Sequence, residues 1–129
     1  MIFKSINPFT KAVIAEHEVL SNAQLNQKLE LAESAFKKWR NTSFQERGDK
    51  MKKLANILRA NKDELGLLIT NEMGKILSEG IAEVEKSAGN CDFYADNAER
   101  MLKDEHYDTP FKSMSVYDPM GAVFAIMPW

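Results

Sequence analysis

The sequence holds a single cysteine, Cys91, and no surplus of either charge: 17 lysines and arginines face 19 aspartates and glutamates, for a formal net charge of −2. A lone thiol closes no internal disulfide, which agrees with a reducing compartment. A nearly neutral chain has no field to gather nucleic acid or an anionic membrane, so neither is an expected partner. No apolar run is long enough to cross a bilayer, and no basic-then-apolar leader opens the chain, which makes the cytoplasm the expected location. His17 and His106 stand far apart, without cysteine, aspartate or glutamate at ligand spacing. They read as surface residues, and no metal site is expected. Internal repeats and low-complexity segments are also missing.

What is present is the composition of a folded globular protein, with 44% apolar and 28% charged residues over 129 positions, and the order of its elements, helices before a buried strand, predicts an α/β fold. Residues 2–6 and 12–19 are short apolar-rich stretches around Asn7-Pro8-Phe9-Thr10-Lys11, and the Asn-Pro pair favours a turn, so a hairpin is expected. Ser21 with Gln24 has the capping-box spacing, and Leu25, Leu29, Ala32, Phe36 and Trp39 follow at helical intervals. The same start signal recurs at Ser43 with Glu46 and at Asn61 with Glu64, which predicts two more helices, the second stopped by Gly74. Leu77, Ile81, Val84, Ala88, Cys91, Ala95, Ala98 and Leu102 then draw one narrow apolar stripe along a helix of about seven turns. Its residues are partly small, so a close-packed partner helix is expected. Ser113 to Tyr117 alternates as a one-sided strand does, and Asp118-Pro119-Met120-Gly121 turns the chain into a last apolar run.

That run, Ala122 to Trp129, predicts a strand covered on both faces, as in a parallel sheet. Such a strand needs neighbours, and the chain is therefore expected to be the opening piece of a larger protein whose sheet begins at residue 122.

Few residues invite a chemical role. Cys91 lies in phase with the apolar stripe, with no adjacent cation to stabilise a thiolate, so it reads as a small buried hydrophobe. Glu83 and Glu85 are two apart, a spacing that does not bring helical side chains together, and they read as a solvated face. Lys50, Lys52 and Lys53 are balanced by Glu46 and Asp49 and lack the interleaved aromatics of a single-strand binder. Glu72-Met73-Gly74-Lys75 has too few glycines for a phosphate loop. No catalytic constellation is present.

Taken in order, several stretches are similar to the NAD(P)-dependent aldehyde dehydrogenase superfamily. They are Asn7-Pro8-Phe9-Thr10, Ala35-Phe36-Lys37-Lys38-Trp39-Arg40, Glu46-Arg47-Gly48, Glu72-Met73-Gly74-Lys75, Glu83-Val84, Tyr94-Ala95, Pro119-Met120-Gly121 and Ile126-Met127-Pro128-Trp129. Glu-Met-Gly-Lys and the run Tyr94 to Ala98 most resemble succinate-semialdehyde dehydrogenases. The resemblance implies a parent of roughly four times this length that oxidises an aldehyde with NAD or NADP and assembles as a homo-oligomer. It assigns residues 1–129 to part of the N-terminal cofactor domain, with a strand of the oligomerisation sheet near 113–117 and entry to the Rossmann-like parallel sheet at 122–126. By the same resemblance the backbone at Ile126, Met127, Pro128 and Trp129 lies along the cofactor, which agrees with dinucleotides binding at the carboxyl ends of strands.

The family's oxyanion asparagine follows Pro-Trp, and its nucleophilic cysteine, general-base glutamate, ribose-contacting lysine and carboxylate-binding arginines come later still. Cys91 does not match that nucleophile, and residues 1–129 alone are expected to be inactive. One departure is Ile76, where family members often carry proline after Gly-Lys. The competing reading is a self-contained helical interaction module without enzymatic activity.

Overall fold

The computed structural model describes residues 2–127. Strand β1 (Ile2–Ile6) pairs antiparallel with β2 (Val13–Glu18), with Ile2 opposite Glu18 and an irregularity between Ser5 and Ile6. Helices α1 (Asn22–Trp39), α2 (Phe44–Ala60), α3 (Lys62–Met73) and α4 (Leu77–Met101) follow, and then β3 (Glu105–His106) pairs antiparallel with β4 (Met114–Ser115). The expected hairpin and helices are all present, and the chain is mixed α/β.

Local chemistry explains most boundaries. In the hairpin turn, the Asn7 carboxamide oxygen accepts the N–H groups of Phe9 and Thr10, both at 2.9 Å, which fixes the turn that the Asn-Pro pair favours. Ser21 accepts the Gln24 N–H at 3.3 Å while Gln24 accepts the Ser21 N–H at 2.9 Å, a complete capping box. Ser43 caps α2 by accepting the Glu46 N–H at 3.1 Å. Asn61 behaves otherwise than its spacing to Glu64 predicts. It makes no side-chain cap for α3, and its amide instead donates to the Ile57 carbonyl at 2.7 Å. Only this residue separates α2 from α3, so its side chain can serve one helix end, and it joins its own backbone N–H on the Ile57 carbonyl in closing α2. Gly74 ends α3 in the left-handed conformation, φ 73°, as its position predicts. The hairpin docks at that helix end, where Ser5 Oγ donates to Glu72 Oε1 at 2.6 Å and a Cβ on Gly74 would lie 3.1 Å from Pro8.

Helix α4 packs along α2 and α3, and the buried apolar residues are Ala55 of α2 with Val84, Ala88 and Cys91 of α4. The predicted stripe therefore faces a partner, although Leu77 and Leu102 at its two ends remain exposed. Among the described residues no large side chain is wholly buried, so the helices gain their contact by backbone proximity rather than by interlocking bulky groups. The tightest approach is between α3 and α4. A Cβ on Gly66 would stand 2.6 Å from Ile81 Cγ1 and 2.9 Å from the Ile81 nitrogen, and one on Gly80 would stand 2.8 Å from the Gly66 carbonyl oxygen.

Ion pairs run along this seam. Arg59 of α2 reaches Glu85 Oε1 and Asp92 Oδ2 of α4, each at 2.8 Å, and Lys52 reaches Asp96 at 2.7 Å. Glu83 is exposed, as its solvated-face reading expects, and pairs with Lys75 in the connection before α4, whereas Glu85, about half exposed, also reaches across to α2. A carboxylate beside a neighbouring helix meets that helix's cations, which spacing along one helix does not reveal. The hydrogen bond and charge of Asp96 hold the Lys52 ammonium above the ordinary lysine range, and Glu85 and Asp92 do the same for the Arg59 guanidinium. These side chains are about half exposed, so they set register more than they add stability.

Residues 122–127 form no strand among the described residues, and the expected strand is one that needs neighbours. A parallel strand exists only through hydrogen bonds to neighbours, and among the described residues none pairs with it.

Glycine substitutions separate the close approach from helix propensity. Gly66→Ala should lower stability by about 1–3 kcal/mol, because its methyl group meets the Ile81 backbone. Gly89→Ala, which has open space, should raise it by about 1 kcal/mol. Urea unfolding followed by helical circular dichroism reads both; equal signs would refute the close packing of α3 on α4. Burial makes a second contrast. Cys91→Ser places a hydroxyl beside Ala55 and Ala88 and should cost about 1–3 kcal/mol, more than Cys91→Ala. The reverse order in the same urea unfolding curves would mean that Cys91 has a polar neighbour. The raised Lys52 pKa gives a pH test. Its contribution is fully present below the unfolded lysine value of about 10.4 and is lost as pH rises through the higher folded value. The stability gap between the native chain and Lys52→Met should therefore narrow on titration through the alkaline range, and a constant gap would assign it to packing of the lysine stem.

Candidate functional site

The segment with the strongest sequence-based expectation is the apolar run after Gly121. Asp118-Pro119-Met120-Gly121 leads into it, with Gly121 at φ 136°, a backbone conformation that suits glycine. The chain passes α1 here, and Met120, Gly121 and Ala122 form one wall of a groove whose other wall is Leu29, Ala32, Glu33, Phe36, Lys37 and Arg40. The groove encloses about 390 Å³, with Arg40 stacked over the Phe36 ring at 5.4 Å and Glu33 paired to Lys37 at 2.9 Å. The pairing with Lys37 holds the Glu33 carboxyl below its ordinary range.

Ile126 and Met127, expected to border a nicotinamide cofactor, lie beyond the groove and are 80% and 72% exposed. Pro128 and Trp129, the other two expected contacts, lie outside the described residues. Among the described residues the backbone of 118–127 enters no backbone hydrogen bond. Residues 122–127 present an exposed apolar face. They include no glycine-rich turn for a pyrophosphate and no acidic residue for a ribose, and the remaining walls of a nucleotide cleft are not formed by these residues.

The other residues weighed from the sequence are scattered. Cys91 is buried between α4 and α2, beside Ala55 and Ala88. His17 pairs across the hairpin from Phe3, and His106 lies in β3 opposite Met114, both exposed. No group of three potential metal ligands occurs among the described residues. Glu79, Glu83 and Lys86 line an open depression on α4 with Lys75, where the Lys75–Glu83 pair already neutralises two of the charges. No described helix is long and apolar enough to cross a membrane.

The strand expected at Ser113 to Tyr117 is shorter, Met114–Ser115, and its partner Glu105–His106 was not foreseen. The turn residues Asp108-Thr109-Pro110 are the signal that marks it, since they separate two short extended stretches. Within the ribbon, Tyr107 donates from its hydroxyl to Glu105 at 2.8 Å, and the Tyr107 N–H donates to the Ser113 carbonyl at 2.9 Å.

Known proteins are similar to this chain in sequence and in fold. A probable succinate-semialdehyde dehydrogenase [NADP(+)] from Synechocystis is 41% identical over 100% of this chain and 29% of its own length. A succinate semialdehyde dehydrogenase [NAD(P)+] from Escherichia coli is 36% identical over 97% of the chain and 27% of its own length. The chain thus spans less than a third of the curated relatives it matches. Among solved structures, succinic semialdehyde dehydrogenase from Streptococcus pyogenes, in complex with NADP+, superposes with a TM-score of 0.79 and 32% identity, covering 84% of this chain and 24% of that one. The aldehyde dehydrogenase family model matches residues 1–129. The chain belongs to the aldehyde dehydrogenase family.

Proposed function

We propose that this chain is the N-terminal part of the cofactor domain of an NAD(P)-dependent succinate-semialdehyde dehydrogenase. The observation that carries the reading is the end-to-end similarity to enzymes named for that reaction, at 41% and 36% identity. In this reading the segment from Ala122 passes into a parallel sheet supplied by the rest of the enzyme. Ile126, Met127, Pro128 and Trp129 then line one wall of the cofactor cleft. The exposed apolar side chains of 122–127, and a backbone that pairs with no other among the described residues, support this role, because a strand added beside them would bury the first and pair the second. The β3–β4 ribbon, with open edges, serves as a strand pair in subunit assembly.

The role is architectural. Oxidation of an aldehyde in this family's manner needs a thiolate to attack the carbonyl, a nicotinamide to accept hydride and a base to activate water for thioester hydrolysis. Residues 1–129 provide the scaffold beside that chemistry, and Cys91 does not take part in it.

Two measurements test the proposal. Purified residues 1–129 should give no succinate-semialdehyde-dependent reduction of NAD+ or NADP+ above a buffer blank. Turnover that vanished in Cys91→Ser would overturn it. The second replaces the matching N-terminal stretch of the Synechocystis relative with residues 1–129. The chimaera should keep NADP+-linked oxidation of succinate semialdehyde within about tenfold of the parent, a change of about 1.4 kcal/mol in barrier. A folded chimaera that neither binds NADP+ nor turns over would refute the cofactor-wall role. Cys91→Ala in the active chimaera should leave turnover unchanged.

A further inference from the structure

We draw no further inference here: the strongest candidate, the apolar face of α1 around Leu25, Leu29 and Phe36 with the exposed segment 120–127 beside it, carries nothing because nothing in the structure shows what covers it.

Discussion

Close approach of α4 to the two helices before it is the constraint on which the rest of the structure depends. Gly66 and Gly80 let the backbones of α3 and α4 come within contact distance of each other, and Ala55 and Ala88 continue the small-residue seam between α2 and α4. With so little side chain between them, the helices gain dispersion contact along their length but hide little apolar area per residue. The charged pairs of Arg59 and Lys52 flank this seam and fix the axial register of α2 on α4. Sliding either helix by one turn would separate all of these pairs and misalign the seam.

The hairpin depends on the same helices. Gly74 leaves room at the end of α3 for Pro8, and Ser5 reaches Glu72, so a turn near the amino end is tied to the junction from which α4 departs. Glu-Met-Gly-Lys is therefore a structural joint: its glutamate anchors the hairpin, its glycine ends one helix, and its lysine pairs with Glu83 at the start of the next.

Helix α1 and the segment after Gly121 stand apart from this core. No residue of α1 is buried, and Phe124 is 89% exposed. Exposed apolar surface of that extent marks a face suited to contact with further protein, which agrees with a chain that spans less than a third of its relatives. The candidate cofactor wall belongs to this part, and its legibility in sequence came from a different source than the helices. Periodicity located α4 to within a residue at its C-terminal end, whereas Ile126 and Met127 were singled out by family resemblance alone. No local pattern distinguishes a wall of a cleft from any other apolar strand.

The sequence by itself determined the hairpin turn, the serine caps, the end of α3 at Gly74 and the buried stripe of α4, including the packing role of Cys91. These features arise from interactions over a few residues, or from a repeat that one helix imposes on its own side chains, and both are written locally. Only the tertiary structure decided that the Asn61 side chain closes α2 rather than opening α3, that Glu85 and Asp92 share Arg59, that Glu105–His106 partners Met114–Ser115, and that residues 122–127 enter no ladder among the described residues. Each of these depends on which distant group reaches a side chain or a backbone amide first. That competition is settled by packing in space, because hydrogen bonds and ion pairs act over a few ångströms whatever the separation along the chain.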